Sequence, residues 1–124
     1  MSGILVVDDK PAHRDHVASI LSSAGYKVTG KASSGAEAIS LFQTVKPDLV
    51  TLDLIMPDIN GMDLLRVMKG NCPSASFLVC TSISHEMITD LAIRSGADAL
   101  FHKPISASSL LSKVSQLLGS PESK

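Results

Sequence analysis

Four short apolar runs in this chain lead into residues that can do chemistry. Ile4-Leu5-Val6-Val7 is followed by Asp8-Asp9, Leu49-Val50-Thr51-Leu52 by Asp53, Phe77-Leu78-Val79-Cys80 by Thr81, and Ala99-Leu100-Phe101 leads to Lys103. One polar residue after an apolar run is ordinary turn chemistry, and Asp8 and Asp9 taken alone read as turn or capping residues. Three carboxylates, a hydroxyl and an ammonium repeated at the same place in successive runs are harder to dismiss. Carboxylates brought together repel and raise one another's pKa unless a cation intervenes. Mg2+ is the hard ion suited to a few carboxylates that also meet water and phosphate oxygens. Lysine is a compact point charge for a phosphoryl oxygen or a carboxylate, and the threonine hydroxyl can donate to a further oxygen. Aspartate is itself a nucleophile toward phosphorus. Residue types and positions together predict Mg2+-assisted phosphoryl transfer onto an aspartate, with the anionic group near Asp53.

These side chains meet only if the runs are neighbouring parallel strands. Between them lie helical patterns. Pro11 suits a first helical turn, and the helix it opens should bury Val17, Ile20, Leu21 and Ala24 and end at Gly25. A weaker strand, Tyr26 to Gly30, precedes Ser34-Gly35-Ala36-Glu37, which has capping-box spacing for a second helix. A turn-rich loop through Pro57, Asn60 and Gly61 enters a short helix from Met62 to about Met68. Ser84 can cap a fourth helix carrying Ile88, Leu91 and Ala92, closed by Gly96, and the last helix runs from about Ser106 to Leu118. Strict alternation of five strands and five helices implies a parallel sheet covered on both faces, a doubly wound α/β sandwich. The C-terminal strand ends of such a sheet share one edge, and that edge is where ligands bind.

Composition removes several other classes. A length of 124 residues is one domain, and 11 Lys+Arg against 12 Asp+Glu argue against an extensive basic face for nucleic acid or membrane. Aromatics at 3%, with no Trp, argue against base stacking. Cys72 and Cys80 lack zinc spacing and read as reduced thiols of a cytoplasmic protein. No secretory leader or spanning apolar run is visible. Ser33-Ser34-Gly35 is no nucleotide fingerprint. His13 and His16 share one helix face without a third ligand, and His85 and His102 are lone histidines.

Val6-Val7-Asp8-Asp9, Asp53-Leu54-Ile55-Met56-Pro57 with Gly61, Thr81-Ser82, and Gly96-Ala97 followed by Lys103-Pro104 resemble the receiver domain of two-component response regulators. The resemblance runs from Ile4 to Leu118, and the order of the motifs makes it specific. It implies the flavodoxin-like strand order 2-1-3-4-5 found in chemotaxis receivers, a receiver domain over residues 1–119 and a flexible tail over 120–124. By that resemblance Asp53 is the phosphoacceptor, attacking the phosphorus of a phosphohistidine on a histidine kinase or a histidine phosphotransfer protein. Asp9 would ligate Mg2+ with Asp53 and the backbone carbonyl of Ile55, and Asp8 would act through metal-bound water. Thr81 would hydrogen-bond the phosphoryl group. Lys103 would pair with Asp53 before transfer and with the phosphoryl group afterwards, and Lys103-Pro104 would be cis. The chain would be a phosphoacceptor rather than an enzyme, apart from slow self-dephosphorylation. Its phosphorylation would switch contact with a downstream protein or effector domain.

Two positions depart from the family pattern. Leu100 stands where receivers commonly carry Tyr or Phe, and Ser82 where they commonly carry Ala. The expected switch moves Thr81 and the loop after the fourth strand toward the phosphoryl group. Leu100, Met87 and Ile93 would then form an output surface with the last helix, although Met87 and Ile93 also read as plain packing residues. His13 and Arg14, on the first helix, are the expected docking residues for the histidine-bearing partner. Ile55 and Ile83, two beyond Asp53 and two beyond Thr81, would flank the approach of hydrolytic water and orient none. An aspartate-nucleophile phosphohydrolase would need a second Asp where Ile55 stands. A phosphorylation-independent interaction module would typically have lost an acidic residue or the lysine, and all are present.

Overall fold

The computed structural model describes residues 3–82 and 86–119. Strands and helices alternate as β1 (Gly3–Val7), α1 (Pro11–Ser23), β2 (Lys27–Ala32), α2 (Gly35–Val45), β3 (Leu49–Asp53), α3 (Gly61–Asn71), β4 (Ser76–Thr81), α4 (Glu86–Ser95), β5 (Ala99–His102) and α5 (Ala107–Leu118). All strand pairs are parallel, in the order β2-β1-β3-β4-β5. The expected doubly wound α/β sheet is therefore what the chain forms.

Every residue of β1 and β3 is buried, because helices cover both faces of the sheet centre. Period-two alternation sends Leu5, Val7, Val50 and Leu52 into one core with Ala38 and Phe42 of α2, Leu65 and Met68 of α3 and Ala92 of α4. Ile4, Val6, Leu49 and Leu78 enter the other core with Val17 and Leu21 of α1 and Leu110 and Val114 of α5. The helices change faces between α1 and α2, on either side of β2, and again between α4 and α5. The C-terminal ends of β1, β3 and β4 share one edge, and the strand order reverses between β1 and β3.

Several details differ from the sequence expectation. β2 runs Lys27–Ala32 rather than Tyr26 to Gly30, because its register against β1 shifts between Ile4 and Leu5, so that Leu5 pairs with Gly30 and Val7 with Ala32. Tyr26 is buried ahead of the strand, and its hydroxyl donates to the Gly119 carbonyl at 2.8 Å. α3 continues past Met68 to Asn71, since Met68 is buried and its carbonyl accepts the Cys72 N–H at 3.0 Å. In α1 the buried stripe is Val17, Ala18 and Leu21, with Ile20 and Ala24 only partly covered. The capping box of α2 is half as expected. Ser34 Oγ accepts the Glu37 N–H at 3.2 Å, but the Glu37 carboxylate takes the Ser33 N–H at 2.7 Å instead of closing on Ser34. The Ser84 cap, His85, Ile83 and the tail at 120–124 lie outside the described residues. Among the described residues, no helix is long and apolar enough to cross a membrane.

Candidate functional site

The end of β1 delivers the first two carboxylates. The Asp8 N–H still belongs to the sheet, donating to the Ala32 carbonyl at 3.0 Å, and its side chain is buried. Asp8 Oδ1 accepts the Lys10 N–H at 2.9 Å, which turns the chain into α1. Lys10 is the N-cap of that helix and no side chain caps it, so Asp9 is not a capping residue. Asp9 Oδ1 is instead shielded from solvent and has no hydrogen-bond partner among the described residues.

β3 ends on Asp53, opposite Cys80 in the register with β4. Asp53 is buried, and its Oδ1 accepts the Ile55 N–H at 3.2 Å. Carboxylate oxygens of Asp8, Asp9 and Asp53 lie within 4.8 Å of one another. Lys103 enters from the end of β5, its backbone N–H donating to the Thr81 carbonyl at 2.8 Å and its peptide bond to Pro104 cis. Its Nζ lies 3.0 Å from Asp8 Oδ2 and 3.4 Å from Asp53 Oδ2, and 3.1 Å from His13 Nδ1. Thr81 is buried at the end of β4.

Burial pushes the Asp53 carboxyl above the usual carboxylate range, opposed by the Ile55 N–H and the Lys103 charge, while the Asp8 charge adds to the rise. Burial alone would lower Lys103, but the hydrogen bond to Asp8 and the charges of Asp53 and Asp8 outweigh it and hold the ammonium charged. Burial pushes the Cys80 thiol up to about 12, so it stays neutral beneath the site.

A buried carboxylate oxygen without a donor is costly unless a cation takes it. Asp9 Oδ1 is such an atom, and an all-oxygen set beside it matches a hard divalent ion. The residues fit Mg2+.

The loop from β3 to α3 is fixed at several points. The Gly61 N–H donates to the Leu54 carbonyl at 3.0 Å, and any Cβ on Gly61 would overlap the Leu54 backbone. Asn60 Oδ1 caps α3 through the Met62 N–H at 2.8 Å. Asp58 crosses to the start of α2, where its two carboxylate oxygens accept the Gly35 N–H at 2.9 Å and the Ala36 N–H at 3.1 Å. Those bonds, Gly35 first, lower the Asp58 carboxyl below its ordinary value. Sequence reasoning missed Asp58. Its partners are more than 20 residues away, and Pro57-Asp58 looks like any turn.

The sequence-derived site set thus divides. Asp8, Asp9, Asp53 and Lys103 converge, and Thr81 lies on the same edge. Ile55 is exposed, with its backbone tied to Asp53. Arg14, expected to steer a partner, donates through Nη1 to the Asp8 carbonyl at 3.0 Å and is part of the site's frame. His13 touches Lys103. Met87 and Ile93 are both exposed on α4, but six residues of helix put them about 120° apart, so they do not share a stripe. Leu100 is partly buried against the α2–α3–α4 core.

Known proteins agree with this arrangement. The model of the response regulator receiver domain family matches residues 4–115. Chemotaxis protein CheY of Thermotoga maritima is 35% identical over 116 residues, covering 91% of this chain and 97% of that protein. Response regulator SaeR of Staphylococcus aureus is 36% identical over 118 residues, 95% of this chain but 51% of that longer protein. The crystal structure of the response regulator domain of Thermotoga maritima CheB superposes with a TM-score of 0.88 at 32% identity, covering 98% of this chain and 99% of that one.

Proposed function

The chain belongs to the response regulator receiver family of two-component signalling, and from that premise we propose that Asp53 is its phosphoacceptor. The donor is a phosphohistidine on a histidine kinase or a histidine phosphotransfer protein, and the protein works in the cytoplasm. An Asp53 carboxylate oxygen attacks phosphorus. The O–P bond forms as the P–N bond breaks. The donor's imidazole, already protonated on its other ring nitrogen, takes the electron pair and leaves neutral with that one ring proton. Asp9, Asp53 and the Ile55 carbonyl would hold Mg2+, with Asp8 acting through water. Bound there, the ion supplies charge neutralisation for the phosphoryl oxygens.

The protein's own groups do the rest by positioning and electrostatics. The Ile55 N–H on Asp53 Oδ1 leaves the other oxygen to face Lys103. The Lys103 ammonium then follows the developing charge onto the phosphoryl group, and the Thr81 hydroxyl donates to a second phosphoryl oxygen. Modified Asp53 biases a two-state equilibrium that a downstream protein or effector domain reads.

The observation that carries this reading is a charged lysine between Asp8 and Asp53, with the Asp9 oxygen buried beside them and lacking a donor. Incubation with acetyl phosphate and Mg2+, followed by mass spectrometry, is the test. One acid-stable, base-labile phosphoryl group on Asp53 is expected. No label, or a label elsewhere, overturns the assignment.

A further inference from the structure

Lys103 has a third partner that phosphoryl transfer does not itself require. His13 lies in the first turn of α1, partly buried, with Nδ1 3.1 Å from Lys103 Nζ. An ammonium has three N–H donors and no acceptor. Lys103 reaches two carboxylates as an ammonium, 3.0 Å from Asp8 and 3.4 Å from Asp53, so in this contact too it is the donor. His13 is therefore the acceptor, a neutral imidazole with its proton on Nε2. Asp8, His13 and Asp53 then take one N–H each, Asp53 at the longest distance, 3.4 Å.

We propose that His13 is a positioning residue for the phosphoacceptor site, holding the Lys103 ammonium where its remaining N–H addresses Asp53 and then the phosphoryl group. The inference rests on the Asp53 reading above. A lysine stem is flexible, and a single bond to Asp8 leaves Nζ free to swing. A second acceptor on a rigid helix turn restricts it. The chemistry of that acceptor matters as well. A third carboxylate at position 13 would compete with the phosphoryl group for the ammonium, whereas a neutral imidazole fixes its place without adding charge. Arg14, the next residue, braces the same corner through the Asp8 carbonyl, so the start of α1 is tied to the site at two successive positions.

The test measures the initial rate of Asp53 labelling by acetyl phosphate with saturating Mg2+ in the full chain and two variants. His13→Leu keeps bulk but cannot accept a hydrogen bond, and labelling should slow by about five- to tenfold. His13→Asn presents a neutral oxygen near the Nδ1 position and should return the rate to within about twofold of the parent. Equal rates in the parent and His13→Leu overturn the inference, as does an Asn variant as slow as the Leu variant, which would mark a steric role. Ring 15N shifts of His13 in the unsubstituted protein supply a readout independent of variant folding. An Nε2–H tautomer is expected, and an Nδ1–H tautomer overturns the inference. Failure of the parent itself to label Asp53 would count against the phosphoacceptor reading instead.

Discussion

Lys103 Nζ sits 3.0 Å from Asp8 Oδ2, in an ion pair whose side chains are 10% and 5% exposed. Asp8, not Asp53, is thus the nearer anchor of the lysine, and Asp53 is held more loosely than the carboxylate beside it. Removing one member of a buried pair leaves the other charge uncompensated, at about 3 kcal/mol. Lys103→Met should lose about that much unfolding free energy in EDTA, measured by urea titration. Mg2+ should recover a large part of it, because an ion can take over the neutralising role. A loss that Mg2+ leaves unchanged would mean that the destabilisation comes from lost packing rather than charge.

Asp53 should behave in the opposite way. Its carboxyl is raised in the folded protein, chiefly by burial. A raised acid binds its proton more tightly folded than unfolded, so stability falls as pH climbs from the unfolded toward the folded pKa. In EDTA at neutral pH, Asp53→Asn is expected to be more stable than the parent, since Lys103 keeps Asp8 as its partner. That advantage should shrink as pH falls from the folded toward the unfolded pKa and be gone below about 4, where an ordinary Asp is protonated in the unfolded chain too. Mg2+ should reverse the order by stabilising only the parent appreciably. A parent more stable than Asp53→Asn in EDTA would show that Lys103 outweighs burial.

These relationships were legible in the sequence to different depths. β1 and β3 stand out as apolar runs because helices cover both faces, and the polar residues that end them fall on one edge once the sheet is parallel. β2 was harder to bound. It is an edge strand whose Lys27, Gly30 and Lys31 carry no apolar pattern, and its limits come from a shifted pairing with β1. α3 runs on through Gly70, whose position faces open space, because burial of Met68 holds the turn. Leu91 reads as part of the apolar set of α4 and is 44% exposed, while Ala92 beside it is buried. The roles of His13 and Asp58 come from contacts 90 and 23 residues distant along the chain, which no local spacing encodes.

Asp58 ties the loop that carries Ile55 to the start of α2, and its replacement should loosen both. Asp58→Ala is expected to speed amide exchange at Gly35 and Ala36, whose N–H groups lose their acceptors. The Asp58 carboxyl is lowered by those bonds, so its contribution is present above the unfolded pKa and disappears as pH falls through the folded one. The difference in melting temperature between parent and variant should therefore vanish in acid. Gly35→Ala attacks the same junction sterically, since a Cβ there would overlap the Ile59 side chain. Overpacking of that kind costs about 1–3 kcal/mol. Unchanged exchange at Gly35 in Asp58→Ala would remove the junction from the account.

The lifetime of the phosphorylated state turns on what can orient water. Hydrolysis needs a water in line with the bond between Asp53 and phosphorus, and in receivers the residues two beyond the acceptor and two beyond the threonine flank that approach. Here they are Ile55, which is 49% exposed, and Ile83. Neither side chain has a donor or acceptor with which to hold an attacking water. Positioning a nucleophile contributes heavily to such reactions. If ~1–2 kcal/mol of orientation is missing, hydrolysis is roughly 5–30 times slower than with polar residues there. The labelled protein should accordingly persist and depend on a partner phosphatase or reverse transfer for rapid reset. Decay of the label in Mg2+ should quicken in Ile55→Asn and quicken further when Ile83→Glu is added. Decay at the parent rate in the double variant would show that water access at these two positions does not set the lifetime.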